Sequence, residues 1–399
     1  MITLRANGKK AIDIDEESIR KILNIYSDEH LVGRPIFANA LLTSELSFTD
    51  LRKECDTLII PWQLFLLDTN KVDTTIKKID EKRKAKFDKK LIANRDNGGG
   101  GISLRIADRL IALQEFASEL ALRQNDFCSS LKTLHRDKWA KSVIEYFDID
   151  MTRLASGHKE RVLDYLIKQA EKKNIRIARG VLSSSSKLLP VENSIRSTYR
   201  KSSGFAIKDD KVPYIFLPNE LGDNETSGRQ ILTLMVLIIL IGLDQYNLYL
   251  TGNLELQMNG DKKLNQAFGV ASEILLPLNE TEKYDGIKIT ETIRDDLAGK
   301  FMLTPSAVVV ALRQRGIITN DADQRKLLDS ITGNPGGKRP FMRSPKIDTA
   351  VRKMCGNVTT NEIIHAISSK SLNPVAAQYL MFGRVDKLKY TKFKATVGL

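Results

Sequence analysis

Arg229–Gly242, RQILTLMVLIILIG, is almost wholly apolar. It is too short to span a bilayer, which takes roughly 20 apolar residues, and Asp244 and Gln245 follow it directly. The pattern predicts a helix buried in a core. A buried parallel strand stays open as the other reading, because an all-apolar run has no periodicity to separate the two. Leu264–Pro277, LNQAFGVASEILLP, mixes apolar with small and polar residues and predicts an amphipathic helix packed on the first.

Around this pair the pattern is mostly helical. Residues 1–70 are expected as helices. Asp15, Glu16, Glu17 and Ser18 form an acidic first turn ahead of Ile19, Ile22, Leu23 and Tyr26 on one face. Ser47 is a suitable N-cap for a helix to about Asp56, and Pro61 suits the first turn of another. That is helix-turn-helix spacing, but Pro61–Leu67 offers only Gln63 as a base reader and is expected to be a packing helix. A basic helix is expected over Lys71–Asn94 and an amphipathic one over Ile102–Leu122, with Asn97–Gly101 as the loop between. That loop lacks the Lys and Ser/Thr of a phosphate loop. Trp139, Val143, Ile144 and Phe147 extend the helical region.

A central domain is expected from about Ile149. It contains a helix over Arg161–Lys172, strands over Ile175–Val181, Phe205–Ile207 and Tyr214–Leu217, and then the apolar pair. Ser183–Ser186 is expected as a turn, and Tyr246–Gly260 as a polar stretch with one edge strand. Glu291–Ile318 is a second helix-turn-helix candidate, with Thr304 as a cap, Pro305 opening the second helix and Gly316 ending it. Its base-facing places would be Ser306, Ala307, Val308 and Val309, which are poor readers. Asn334–Pro340 is a linker, and three short helices and a Lys-rich tail follow it. The expected class is α+β and mostly helical. Boundaries are expected at 1–148, 149–290, 291–333 and 334–399.

Ala267-Phe268-Gly269-Val270-Ala271-Ser272-Glu273-Ile274-Leu275-Leu276-Pro277 resembles the pattern Ala-Asn-x-Phe-Ala-Ala-Glu-Leu-Leu-Met-Pro that closes the metallopeptidase domain of the ImmA/IrrE family. Anchored there, Arg229–Leu240 falls on that family's Arg-x-x-Phe-Thr-Leu-Ala-His-Glu-Leu-Gly-His helix, with Leu232, Thr233 and Leu234 in the Phe-Thr-Leu places. Gly204–Ile207 and Val212–Leu217 resemble the family's strand pair, and Asp296–Ile318 resembles its small helical domain. The resemblance implies a degenerate zincin-like domain with a small sheet, flanked by helical domains. A zinc peptidase needs two imidazoles at i and i+4, a neighbouring glutamate as general base and a distant third ligand. Here the His places are Val236 and Leu240, the base place is Leu237, the third-ligand place is Leu264 and the Asn place is Phe268. None has a lone pair for zinc, so the resemblance implies a pseudo-enzyme with no cofactor. It would act by binding a protein partner, a helix-turn-helix repressor or a toxin, in a mobile-element, phage-immunity or stress circuit.

Charge opens another class. The chain carries a net charge of +13, which fits contact with a polyanion. Lys71–Arg95 has ten Lys or Arg against four acids, and Arg384–Lys394 five against one. Lys82, Arg83, Lys86, Lys89 and Lys90, with Arg313 and Arg315, are therefore candidate phosphate contacts for a DNA-binding transcription regulator. The three cysteines and four histidines have no metal or disulfide spacing. With no apolar leader at Met1 and no spanning segment, a cytoplasmic protein without membrane contact is expected.

Overall fold

The computed structural model describes residues 1–26, 35–90, 104–155, 158–180, 202–218, 226–246, 250–251, 262–331 and 346–399. The expected loops at Asn97–Gly101 and Ser183–Ser186 and the linker at Asn334–Pro340 lie outside these residues. Helix dominates, with two small sheets, so the protein is α+β. No helix among the described residues is long and apolar enough to cross a membrane.

The chain divides into two compact units. The first takes residues 1–117, 181–200 and 345–399; the second takes 118–180 and 201–344. Residues 118–148, expected with the N-terminal part, thus group with the central strands, and the C-terminal helices group with the N-terminal residues.

The first unit corrects the expectation of helices alone over residues 1–70. Ile2–Ala6 (β1) and Lys9–Ile14 (β2) form an antiparallel hairpin, and Glu45–Ser47 (β3) adds parallel to β1. Asn7 and Gly8 hold the turn with φ of 51° and 77°, the left-handed values that Asn-Gly takes most cheaply. Ile2 and Leu4 point into the core while Thr3 and Arg5 face outward, the period of two that fixes a strand's face. The helix Glu16–Tyr26 follows as expected. Ser47 caps Phe48–Leu58 by accepting from the Asp50 amide. Pro61 leads into a short 3-10 turn, Trp62–Leu66, where Phe65 stacks on Phe37 with centroids 5.7 Å apart. The helices Thr69–Lys89 and Leu104–Leu120 come next. Four C-terminal helices, Ile347–Cys355, Asn357–Ser368, Pro374–Phe382 and Lys387–Val397, complete the unit.

The second unit is built on a sheet of order β4-β6-β5-β7, with β4 Arg176–Gly180, β5 Ser202–Ile207, β6 Tyr214–Pro218 and β7 Leu250–Thr251. β4 runs parallel to β6, and β5 runs antiparallel to β6 with Phe205 opposite Phe216. Asp209 makes the β5–β6 turn by accepting from the Lys211 and Val212 amides, each at 2.9 Å. The apolar run is a helix, Thr226–Gly242, which removes the strand alternative. It packs against β5, β6, the helix Lys159–Lys172 and the amphipathic helix Lys262–Leu275. Burial on every side explains why it carries no polar stripe. Gly204 lets it approach, since a Cβ there would lie 2.7 Å from the Phe216 carbonyl oxygen and 3.1 Å from Thr233 Cγ2. Asn125 is a satisfied buried hub. Its amide group donates to the Lys173 carbonyl at 2.8 Å, and its side-chain oxygen accepts from the Phe127 amide at 3.0 Å.

Candidate functional site

Val236, Leu237 and Leu240 lie on the apolar helix, and Leu264 and Phe268 on the amphipathic helix packed against it. All five are buried, at 3% exposure or less. Their burial does not set them apart, because every residue from Ile231 to Ile241 is buried too. The side chains present do not fit a zinc ion. Valine, leucine and phenylalanine donate no electron pair, and a metal enclosed by them would lose its hydration without replacement. Among the described residues no group of three or more His, Cys, Asp or Glu could hold a metal ion. Glu273, one turn beyond Phe268, pairs with Arg136 at 3.4 Å.

The second helix-turn-helix candidate forms, with Thr304 as the expected cap and Thr290 as a further one. Thr290 opens Glu291–Lys300, and Thr304 accepts from the Ala307 amide at 3.1 Å to open Pro305–Gln314. The second helix is buried from Ala307 through Leu312. A recognition helix must lay one face in a groove of DNA, and no such face is left over these residues.

Most of the expected phosphate contacts turn inward. Arg83 donates to the Ile25 carbonyl at 2.5 Å and pairs with Asp108 at 3.0 Å. Lys86 pairs with Glu115 at 2.8 Å, and Lys90 donates to Gln114 at 2.5 Å. Together they bind the basic helix to Leu104–Leu120. Arg313 bridges the Ile318 carbonyl and Asp321. Arg315 reaches Thr281 at 2.7 Å and the carbonyls of Ser272 and Leu276. Burial pulls its guanidinium below the ordinary arginine range, while Glu273 pulls the other way. Lys82 and Lys89 alone of the seven are exposed.

The first unit holds a feature that the pattern of single segments did not reveal, an open groove of about 970 Å³. One wall is the helix Phe48–Leu58 and the turn after it. The other is made by Val375 and Lys387 from the C-terminal helices and by Val385 in the turn between them. The Val385 amide donates to the Thr57 carbonyl at 3.1 Å and joins the two walls by main chain. Arg109 fixes the far wall, donating to the Leu380 carbonyl at 2.9 Å and to the Met381 carbonyl. Phe48, Ile60, Pro61 and Val385 give the groove an apolar lining. Arg52, Lys53 and Lys387 stand on it exposed, with Asp56 as the one carboxylate. Cys55 lies at the back, buried, and burial pushes its thiol up to about 12, so it offers no nucleophile. No sequence motif announces the groove, because its walls come from residues far apart in the chain.

No family model matches the chain, and no curated protein or solved structure matches it.

Proposed function

We propose that the chain is a non-catalytic regulatory protein of the ImmA/IrrE-like kind, acting by holding a protein partner such as a helix-turn-helix repressor or a toxin. One observation carries this reading. Five places that would need imidazole, carboxylate and amide groups hold Val236, Leu237, Leu240, Leu264 and Phe268, all buried. Replacing every polar member of a dry site together is nearly neutral, whereas losing one of them is costly. Such a set fits a domain whose use is binding rather than hydrolysis.

The test is elemental analysis of the purified chain together with incubation with a repressor substrate. No stoichiometric zinc and no cleavage are expected; bound zinc with cleavage overturns the proposal. Val236→His adds a sharper arm. One imidazole among apolar neighbours should gain no zinc and cost about 1–3 kcal/mol as an unpaired buried group. The loss should grow as pH falls below about 6.5, because the unfolded ring takes a proton that the buried ring resists. An unchanged melting temperature would mean that position 236 does not sit in the tight core.

A second reading, a DNA-binding regulator, is favoured by Lys82 and Lys89 on the basic helix and by exposed Lys387 and Lys392 on the last helix. It requires a gel shift that weakens steeply between low and physiological salt.

A further inference from the structure

The groove of the first unit carries a residue that stability alone does not explain. Ile59 follows the helix Phe48–Leu58 as its C-cap, with φ 59° and ψ 43°. Glycine or asparagine usually takes that left-handed place, because a Cβ there crowds the backbone and a β-branched side chain crowds it most. Ile59 is also 37% exposed. The chain thus holds a branched apolar side chain in a disfavoured backbone conformation, and part of that side chain meets water. Val375, at 49% exposure, faces the same groove from the other wall.

The charges around this apolar strip lean to cations: Arg52, Lys53 and Lys387 against the single carboxylate Asp56. Arg52, Lys53 and Lys387 have no ion-pair or hydrogen-bonding side-chain partner among the described residues. That contrasts with the inward-turned Arg83, Lys86 and Lys90. Three unpaired cations around an aliphatic strip complement a ligand that is apolar on one face and acidic at its edges. A nucleic acid would use the cations but not the strip. It would also want aromatic faces for its bases, and Phe48 already packs edge-on to Trp62 at 5.1 Å.

We propose that this groove docks an acidic amphipathic peptide segment of a partner protein, with its apolar side chains over Ile59 and Val375 and its carboxylates on Arg52, Lys53 and Lys387. The proposal rests on the protein-binding reading above and names the surface and chemistry by which that binding occurs.

The probe is a random-peptide phage library panned on the full-length chain, with selected peptides then labelled for fluorescence anisotropy. Enriched peptides should carry net negative charge with apolar residues at helical spacing, and should bind more weakly as salt rises. The double variant Arg52→Glu, Lys387→Glu reverses two exposed charges and should weaken binding by about tenfold or more. Ile59→Asn should weaken it similarly with little change in melting temperature, because asparagine tolerates the left-handed conformation. Peptides that are basic or neutral, peptides that bind both variants like the parent, or the absence of any enriched peptide would overturn the proposal. So would an oligothymidylate that binds the groove and displaces the peptides. None of these outcomes touches zinc content or cleavage, so the groove and the non-catalytic reading fail separately.

Discussion

Arg315→Met is the perturbation that best separates a structural cation from a nucleic-acid contact. In the folded chain the Arg315 guanidinium serves three acceptors: Thr281 Oγ1 at 2.7 Å, the Ser272 carbonyl at 2.9 Å and the Leu276 carbonyl. Ser272 lies in the last turn of Lys262–Leu275, its carbonyl already accepting from the Leu276 amide at 2.8 Å, and Leu276 lies just beyond the helix, at the end where the helix dipole is negative. Methionine keeps much of the stem's packing but donates nothing. The Leu276 carbonyl left without a donor costs about 1–3 kcal/mol, while the Ser272 carbonyl keeps the Leu276 amide at 2.8 Å. With the second Arg315 bond to Ser272 also lost, about 2 kcal/mol is expected. For a unit of this size that lowers the melting temperature by about 4–8 °C. Arg315→Lys should recover part of the loss, since one ammonium can reach an acceptor but cannot fork between them. Scanning calorimetry measures both. A Met variant that melts with the parent, while a DNA gel shift weakens, would refute the structural assignment and return Arg315 to the phosphate contacts.

Two further outcomes follow from titratable groups. Burial pushes the Asp244 carboxyl up, but hydrogen bonds from Lys132 at 2.6 Å and Lys208 at 3.1 Å outweigh it and hold it below the usual range. Its contribution is therefore present above the unfolded value near 4 and fades as pH falls through the lower folded value; Asp244→Asn should cost about 1 kcal/mol or less at neutral pH and nothing at the acid end, and an equal cost at every pH in acid titrations of stability would contradict this. Burial raises the thiols of Cys55 to about 12 and Cys128 to about 11, and raises that of fully buried Cys355 against the pull of Arg109; all three should resist a disulfide reagent at mildly alkaline pH until the chain is denatured, and rapid labelling of the native protein would contradict the packing.

Local signals were legible where one segment decides its own state. The caps Ser47 and Thr304, the proline at 305 and the buried run after Arg229 all act within a few residues, and each marks the element expected of it. The hairpin at the start is masked in the pattern, although Asn7-Gly8 lies between two strands, because the strong helical periodicity from Asp15 onward dominates that stretch. The helix Asp321–Asp329 is not among the expected elements either, despite an Asn320 cap that accepts from the Asp323 amide at 2.7 Å. Charge was the weakest guide. Arg83, Arg109, Arg294 and Arg315 donate to carbonyls in the last turns of helices or just beyond them, at Ile25, Leu380, Leu327 and Ser272 respectively. A count of basic residues cannot tell such inward arginines from a surface field, because the acceptors are carbonyls supplied by other segments. Val236, Leu237, Leu240, Leu264 and Phe268 were legible as apolar side chains, and their burial is shared by every residue from Ile231 to Ile241. The groove was not legible, for its walls meet only in the folded chain.

The groove's two walls have a consequence for the order of events during synthesis. Thr57 is made long before Val385, its main-chain partner. Between them the ribosome makes the whole of the second unit, which can assemble from its own strands and helices as it appears. The first unit must wait with one wall ready and closes only when the distant segment arrives, a long-range closure that slows its folding. The groove is therefore complete only once Val385 and Lys387 have been made. A message cut short between Ser344 and Val375 would yield a whole second unit and a first unit with half a groove. A formed groove thus reports that translation has passed Lys387.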